Sequence, residues 1–250
     1  TLQANTDLTV TDPIAMANAG VTLTMQAGRS VLINNNVSTN NGAISVTSND
    51  PGATLANRTA GAGSITMAAG TTLNAGNQNI TLSTGNLVGG TPGDITARNL
   101  TTTGNIQLNS LNNVTLAGAL NSGPGTVTIN ANTDGVGAQL FTMNAGSAIT
   151  TTNATAGAVA INVNAAAGGT GTAALQNITT GAGGTITVAT NTGGNATGGS
   201  ITQTAATLLN AGTGTVTLRT GGAAAGIGTA VAPILTTAGT VTAAAGTGGV

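Results

Sequence analysis

Five aspartates and four arginines are the only charged side chains in this 250-residue sequence, which holds no His and no Cys. General acid–base cleavage of a glycan needs two carboxyl groups within several ångströms of the scissile bond. Asp7 and Asp12 are the only close pair in sequence, and each flanks a strand at a turn-like position, one before L-T-V-T and the other before Pro13. Asp50 before Pro51, Asp94 after Gly93 and Asp134 before Gly135 carry the same turn signature, so turn or capping roles are expected for all five. A sugar cleft would also offer aromatic platforms, and Phe141 is the single aromatic residue. The sequence therefore names no catalytic residue.

Metal chemistry is equally thin. The stretch G-G-T-P-G-D-I-T from Gly89 approaches a Gly-Gly-x-Gly-x-Asp calcium nonapeptide, but Pro92 stands where the third Gly belongs. Such sites form between stacked copies, and one imperfect copy makes no array. Transition metals would lack His and Cys ligands. Neither a metal nor another cofactor is expected. Sequons at Asn36, Asn57, Asn79, Asn99, Asn113, Asn153, Asn177 and Asn195 arise by chance in so Asn-rich and Thr-rich a chain, and read as strand edges and turns. Thr126 and Thr128, Thr185 and Thr187, and Thr215 and Thr217 form Thr-x-Thr triplets that could stack into outward rows of the kind that bind ice. Ala158 and Ala160 interrupt those rows.

The composition is built for shape. Thr (51), Ala (44), Gly (40) and Asn (29) make up most of the chain, whereas Leu, Ile, Val and Phe together number 51. That apolar share lies near the threshold for disorder, yet a net charge of -1 supplies no repulsion to keep the chain expanded. Binding to nucleic acid needs clustered Lys and Arg, and Arg29, Arg58, Arg98 and Arg219 are far apart. No apolar run is long enough for a membrane-spanning helix, so no membrane insertion is expected. The first ten residues lack the basic and apolar parts of a signal peptide, so the sequence reads as mature or excerpted.

One phrase recurs: Gly, small or polar, apolar, small or polar, apolar. It appears as G-T-V-T-I-N from Gly125, G-A-V-A-I-N from Gly157, G-T-I-T-V-A from Gly184, G-T-V-T-L-R from Gly214 and G-T-V-T-A-A from Gly239. Alternation with period two makes each copy a strand, with the apolar set on one face. Thr favours a pleated surface, and Gly and Asn interrupt any helix. The expected fold is all-β: a right-handed parallel β-helix with coils of about 25 to 32 residues and two or three short strands in each. A β-sandwich would show matched hairpins and a bulkier core. Asn is expected to stack in ladders at the corners.

On this reading residues 1–250 form one continuous β-solenoid segment, with loop excursions at 49–63 and 89–94. The inward set is Ile44, Val46, Ile65, Ile80, Leu82, Val127, Ile129, Val159, Ile161, Ile186, Val188, Val216 and Leu218. These side chains fill a narrow interior that admits few atoms per coil.

The wording adds a resemblance. V-T-L-T-M-Q-A-G-R-S-V-L-I-N-N-N-V-S-T-N-N-G from Val21, G-A-G-S-I-T-M-A-A-G-T-T-L-N-A-G-N-Q-N-I-T-L from Gly61 and A-G-I-G-T-A-V-A-P-I-L-T-T-A-G-T-V-T-A from Ala225 resemble the filamentous haemagglutinin-like exoproteins of bacterial two-partner secretion. That resemblance implies a long β-helical fibre at the outer cell surface or outside the cell, serving adhesion, biofilm cohesion or toxin delivery. The family's amino-terminal secretion domain and terminal toxin are not found in these residues. The expected function is a non-enzymatic adhesin or matrix scaffold. Its partners would be neighbouring fibre segments, its own copies, or a host-cell or matrix glycan or protein surface. A carbohydrate-active β-helix enzyme and an ice- or crystal-binding solenoid are the alternatives.

Overall fold

The computed structural model describes residues 1–193, 198–246 and 249. Alternating residues with buried and part-exposed side chains, as in Val127–Ala131 and Val159–Val163, make short strands that pair only in parallel with the strand one coil away. Three sheets result, with ten, eight and nine strands. Up to Leu209–Asn210 each coil contributes a strand to the first sheet, then the second, then the third, and the chain winds as a right-handed parallel β-helix; the coil after Thr215–Thr220 has no second-sheet strand. At about 4.8 Å per coil the ten-stranded first sheet spans about 45 Å.

Coil length varies more than the strongest phrases suggest. Leu23 pairs with Ile44 and Ile106 with Val127, giving coils of 21 residues, whereas Ile44 pairs with Ile80, giving 36. The largest variation enters where the chain turns from the first sheet to the second. That corner needs only residues 28–30 in one coil but takes 49–61 in the next. The longer corner contains a single 3-10 turn, Leu55–Asn57.

The expectation of a second excursion at 89–94 is corrected. Thr91–Ala97 is a strand of the second sheet, paired with Ala62–Met67, and only 85–90 form the corner. Pro92 lacks an N–H for the ladder, and the register shifts between Pro92 and Ile95. A bulge is where a sheet accepts proline.

The interior is a set of parallel columns. All thirteen residues of the inward set are at most 2% exposed, and Ile44, Ile80, Ile106, Val127, Val159, Ile186 and Val216 follow one another in register. The second and third sheets add columns that the repeated phrase does not reveal, among them Leu73, Leu100, Leu120, Ile149, Ile178 and Leu209. Phe141 stacks between Val114 and Ala173, so the small alanine makes room for the one ring.

The Gly that opens the phrase has a steric reason in four of its five copies, and Gly157, where a Cβ would meet nothing, instead takes a φ of 82°. A Cβ on Gly125 would lie 1.9 Å from the Gly104 carbonyl oxygen, and one on Gly214 would lie 2.0 Å from that of Gly184. Successive coils touch backbone to backbone at this corner.

Candidate functional surface

Polar side chains mark where each strand begins. In the second sheet Asp7 accepts from the Ser30 N–H (3.0 Å), Ser30 Oγ from Ser64 N–H (3.2 Å) and Ser64 Oγ from Asp94 N–H (3.2 Å). The column continues as Asp94 accepts from Asn113 N–H (3.2 Å) and Asn113 from Leu140 N–H (2.7 Å). Asn79 and Asn105 do the same for the first sheet, and Asn36, Asn99 and Asn177 for the third. At these positions the side chain, rather than a carbonyl, satisfies the backbone N–H of the next coil. Five of the eight sequon asparagines, Asn36, Asn79, Asn99, Asn113 and Asn177, are thereby engaged in the stack. Asn153 accepts from Thr155 N–H, Asn57 lies in the exposed corner loop, and Asn195 lies outside the described residues.

This placement accounts for the carboxylates. Asp7 and Asp94 sit in one column with the Ser30 and Ser64 coils between them, so they do not form a pair across a cleft. Asp50 and Asp134 accept from the N–H two residues on, at Gly52 and Val136, which is an Asx turn. Asp12 meets only the Thr11 hydroxyl, at 3.3 Å. Asp94, the acid of the calcium-like stretch, spends its Oδ1 on the N–H and side-chain amide of Asn113. Among the described residues no three His, Cys, Asp or Glu side chains come together.

Asp7 is held further by Arg29, whose Nε and Nη2 donate to its two oxygens at 2.8 and 2.5 Å. That hydrogen-bonded guanidinium, aided by the Ser30 N–H, keeps the carboxyl below its ordinary value despite partial burial. A general acid in glycan cleavage needs the opposite shift. Arg29 also donates to the Ala60 carbonyl, and Arg58 donates to those of Gly28 and Gly61. The two arginines strap the 49–61 loop back across the preceding coil. Thr54 N–H reaches Asn5 Oδ1 in the first coil, at 3.1 Å.

The corner itself is built from asparagine. Asn49, Asn132, Asn164 and Asn191 each follow a first-sheet strand in the left-handed region, with φ between 49° and 57°, and each is fully buried. Asn tolerates that conformation because its short amide bonds locally. Asn191 Oδ1 accepts from Gly171 N–H and from the Asn164 amide, and its Nδ2 donates to the Gly171 and Gly198 carbonyls.

A second amide ladder lies outside the corners, on the outward face of the first sheet. Asn162 donates to Asn130 (3.0 Å), Asn130 to Asn109 (2.8 Å) and Asn109 to Ser83 (3.5 Å). Beside it runs the column Thr24, Ser45, Thr81, Gln107, Thr128, Ala160, Thr187, Thr217 and Thr242. The three triplets therefore do share a face. Thr126 and Thr128 are separated from Thr185 and Thr187 by the Ala158 and Ala160 coil, and Thr215 and Thr217 follow directly in register. A further Thr row lies on the second sheet, where Thr66, Thr96, Thr115 and Thr142 line up.

Hollows lie near both ends of the described stack, one of about 420 Å³ against Leu2, Leu8, Val10 and Ile14 in the first coil. A polar notch of about 220 Å³ lies between Gln3, Asn5 and Gln26 and the Asp50–Ala53 part of the loop. A recess of about 590 Å³ lined by Leu218, Ile227, Ile234 and Val241 opens at the last described coils. No described helix is long and apolar enough to cross a membrane. No protein-family model, curated protein or solved structure matches the chain. The fold defines the class, a parallel β-solenoid repeat protein.

Proposed function

We propose that this chain is a non-enzymatic segment of an extracellular or cell-surface filament, acting as an adhesin or matrix scaffold. The observation that carries the reading is the first sheet: ten strands in continuous parallel register, presenting outward columns in which Arg219 is the one charged side chain among the named pairs. A straight ladder of that length makes a spacer whose flanks offer many weak, repeated contacts instead of one deep pocket. The resemblance of the Val21, Gly61 and Ala225 stretches to filamentous haemagglutinin-like exoproteins supports the same setting. Partners in that setting are neighbouring fibre segments and a host-cell or matrix glycan or protein surface.

Electron microscopy of producing cells, labelled with an antibody against this segment, tests the reading. Label along thin surface filaments is the expected result. Label on separate compact particles in the medium would overturn it and favour a soluble enzyme, which alanine replacement of Asp7, Asp12, Asp50, Asp94 and Asp134 would then probe on polysaccharides.

A further inference from the structure

We infer that the outward face of the first sheet is a self-pairing surface whose partner is the same face of a second copy. The inference rests on the fibre reading for its biological setting and on the geometry for its substance. Side chains that leave this face are Thr, Ser, Asn, Gln and Ala in nearly every coil, so two such faces can approach without burying opposed charges. The chain's net charge of -1 adds no long-range repulsion.

The area is sufficient. Ten strands at about 4.8 Å and five residues at about 3.3 Å make a face of roughly 700 Å² per copy, or about 1,400 Å² buried by a pair. That falls within the size of specific protein interfaces, about 1,200 to 2,000 Å². The first sheet suits the purpose better than the second, whose ladder is broken by the Pro92 shift and whose strands shorten to three residues at Val31–Ile33 and Val114–Leu116.

The chemistry is complementary to itself. The Asn109 carbonyl accepts from the Asn130 amide and the Asn130 carbonyl from the Asn162 amide, which ties the three side chains into one row. Each such amide keeps a second N–H that the ladder does not consume. The hydroxyls of Thr81, Thr128, Thr187 and Thr217 have no hydrogen bond within the described chain. Two identical faces related by a two-fold axis bring these donors and acceptors together, as stacked polar ladders do between paired sheets. Pre-ordered side chains lose little rotamer freedom on pairing.

Sedimentation equilibrium of the 250-residue chain tests this. A dimer is expected for the parent. Thr128, in the sixth of the ten strands, lies near the middle of the face, so Thr128→Lys sets like charges against each other and should raise the dimer Kd more than about tenfold. Thr115→Lys, on the outward face of the second sheet, should leave the dimer intact. Circular-dichroism melts check that each variant folds. If Thr128→Lys melts early, Thr217→Lys carries the charge to the same face three coils on. A monomeric parent at high concentration overturns the inference, and so does association that survives both first-sheet substitutions, since that contact would lie elsewhere. Surface labelling is read independently: labelled filaments with a monomeric segment would sink self-pairing alone, and a dimer without labelled filaments would sink the fibre reading alone.

Discussion

A single residue in this chain is held by its copies as much as by its neighbours in sequence. Ile161 lies between Ile129 and Val188 in a dry column, fully buried. Replacing it with Asp introduces a charge with no partner, and a loss of roughly 4 kcal/mol or more is expected in thermal unfolding. A variant that melts like the parent would show that the column does not carry the stack. Asp7 is the opposite case, a charge provided with a partner. Its carboxyl is held below the ordinary value of 3.8 by Arg29, so its contribution is present above that value and disappears as pH falls through the lower folded one. Melting temperature should therefore drop on acidification below about pH 4, and Asp7→Asn should flatten that drop while lowering stability at pH 6. The alternation in G-T-V-T-I-N and its relatives made the inward residues legible, because period two leaves little choice of face. The Arg29 pairing was not legible, since the two residues meet only through coil stacking, 22 positions apart.

At the scale of an element, the corner decides what a strand can do next. Asn191 turns the chain in the left-handed region and holds five side-chain hydrogen bonds in doing so. Asn191→Ala loses both the bonds and the tolerance for that conformation, so a cost of about 2 to 3 kcal/mol is expected. Asn191→Gly keeps the conformation and should cost about 1 kcal/mol less, which paired chemical-denaturation curves would resolve. Equal costs would mean that backbone strain plays no part. Turn residues gave the corner loop at 49–61 its signal through Pro51 and its glycines, but the same signal misread 89–94. There Pro92 and Gly93 sit inside a strand, because a bulge with a neighbour on the next coil can absorb what a lone strand cannot. The amide ladder was expected at corners, and Asn164 and Asn191 form part of one there. The longer ladder, Asn109 to Asn162, lies on an open face, since in-register coils align any repeated position and corners have no monopoly on that alignment.

Across the whole molecule strands pair only with the coil on either side, the 49–61 loop reaching two coils back to Asn5, so stability accumulates along the stack instead of around one centre. Hydrogen exchange followed by mass spectrometry should find amides of Val127–Ala131 and Val159–Val163 protected longest, with protection declining toward the first and last coils. Uniform protection would indicate one cooperative block. The sequence disclosed this architecture through one repeated phrase, which the first sheet carries most often and the second repeats as G-S-I-T-M from Gly63. The other strands of the second and third sheets are worded differently and vary in length, from three residues in Asn99–Thr101 and Ile201–Gln203 to seven in Thr91–Ala97, so period two alone gave them a weaker signal.

The unequal coils also set how such a rod would answer a pull. Force applied along the stack axis peels strands away one rung at a time, so only one coil's hydrogen bonds resist at any moment. Each coil that lets go releases its own contour, from 21 residues between Leu23 and Ile44 to 36 between Ile44 and Ile80. At about 3.4 Å per extended residue those steps run from roughly 70 to 120 Å. The strapped 49–61 loop is then stored slack, spent only when the coil that carries it ruptures, and extension would proceed as a series of soft yields in place of a sudden break.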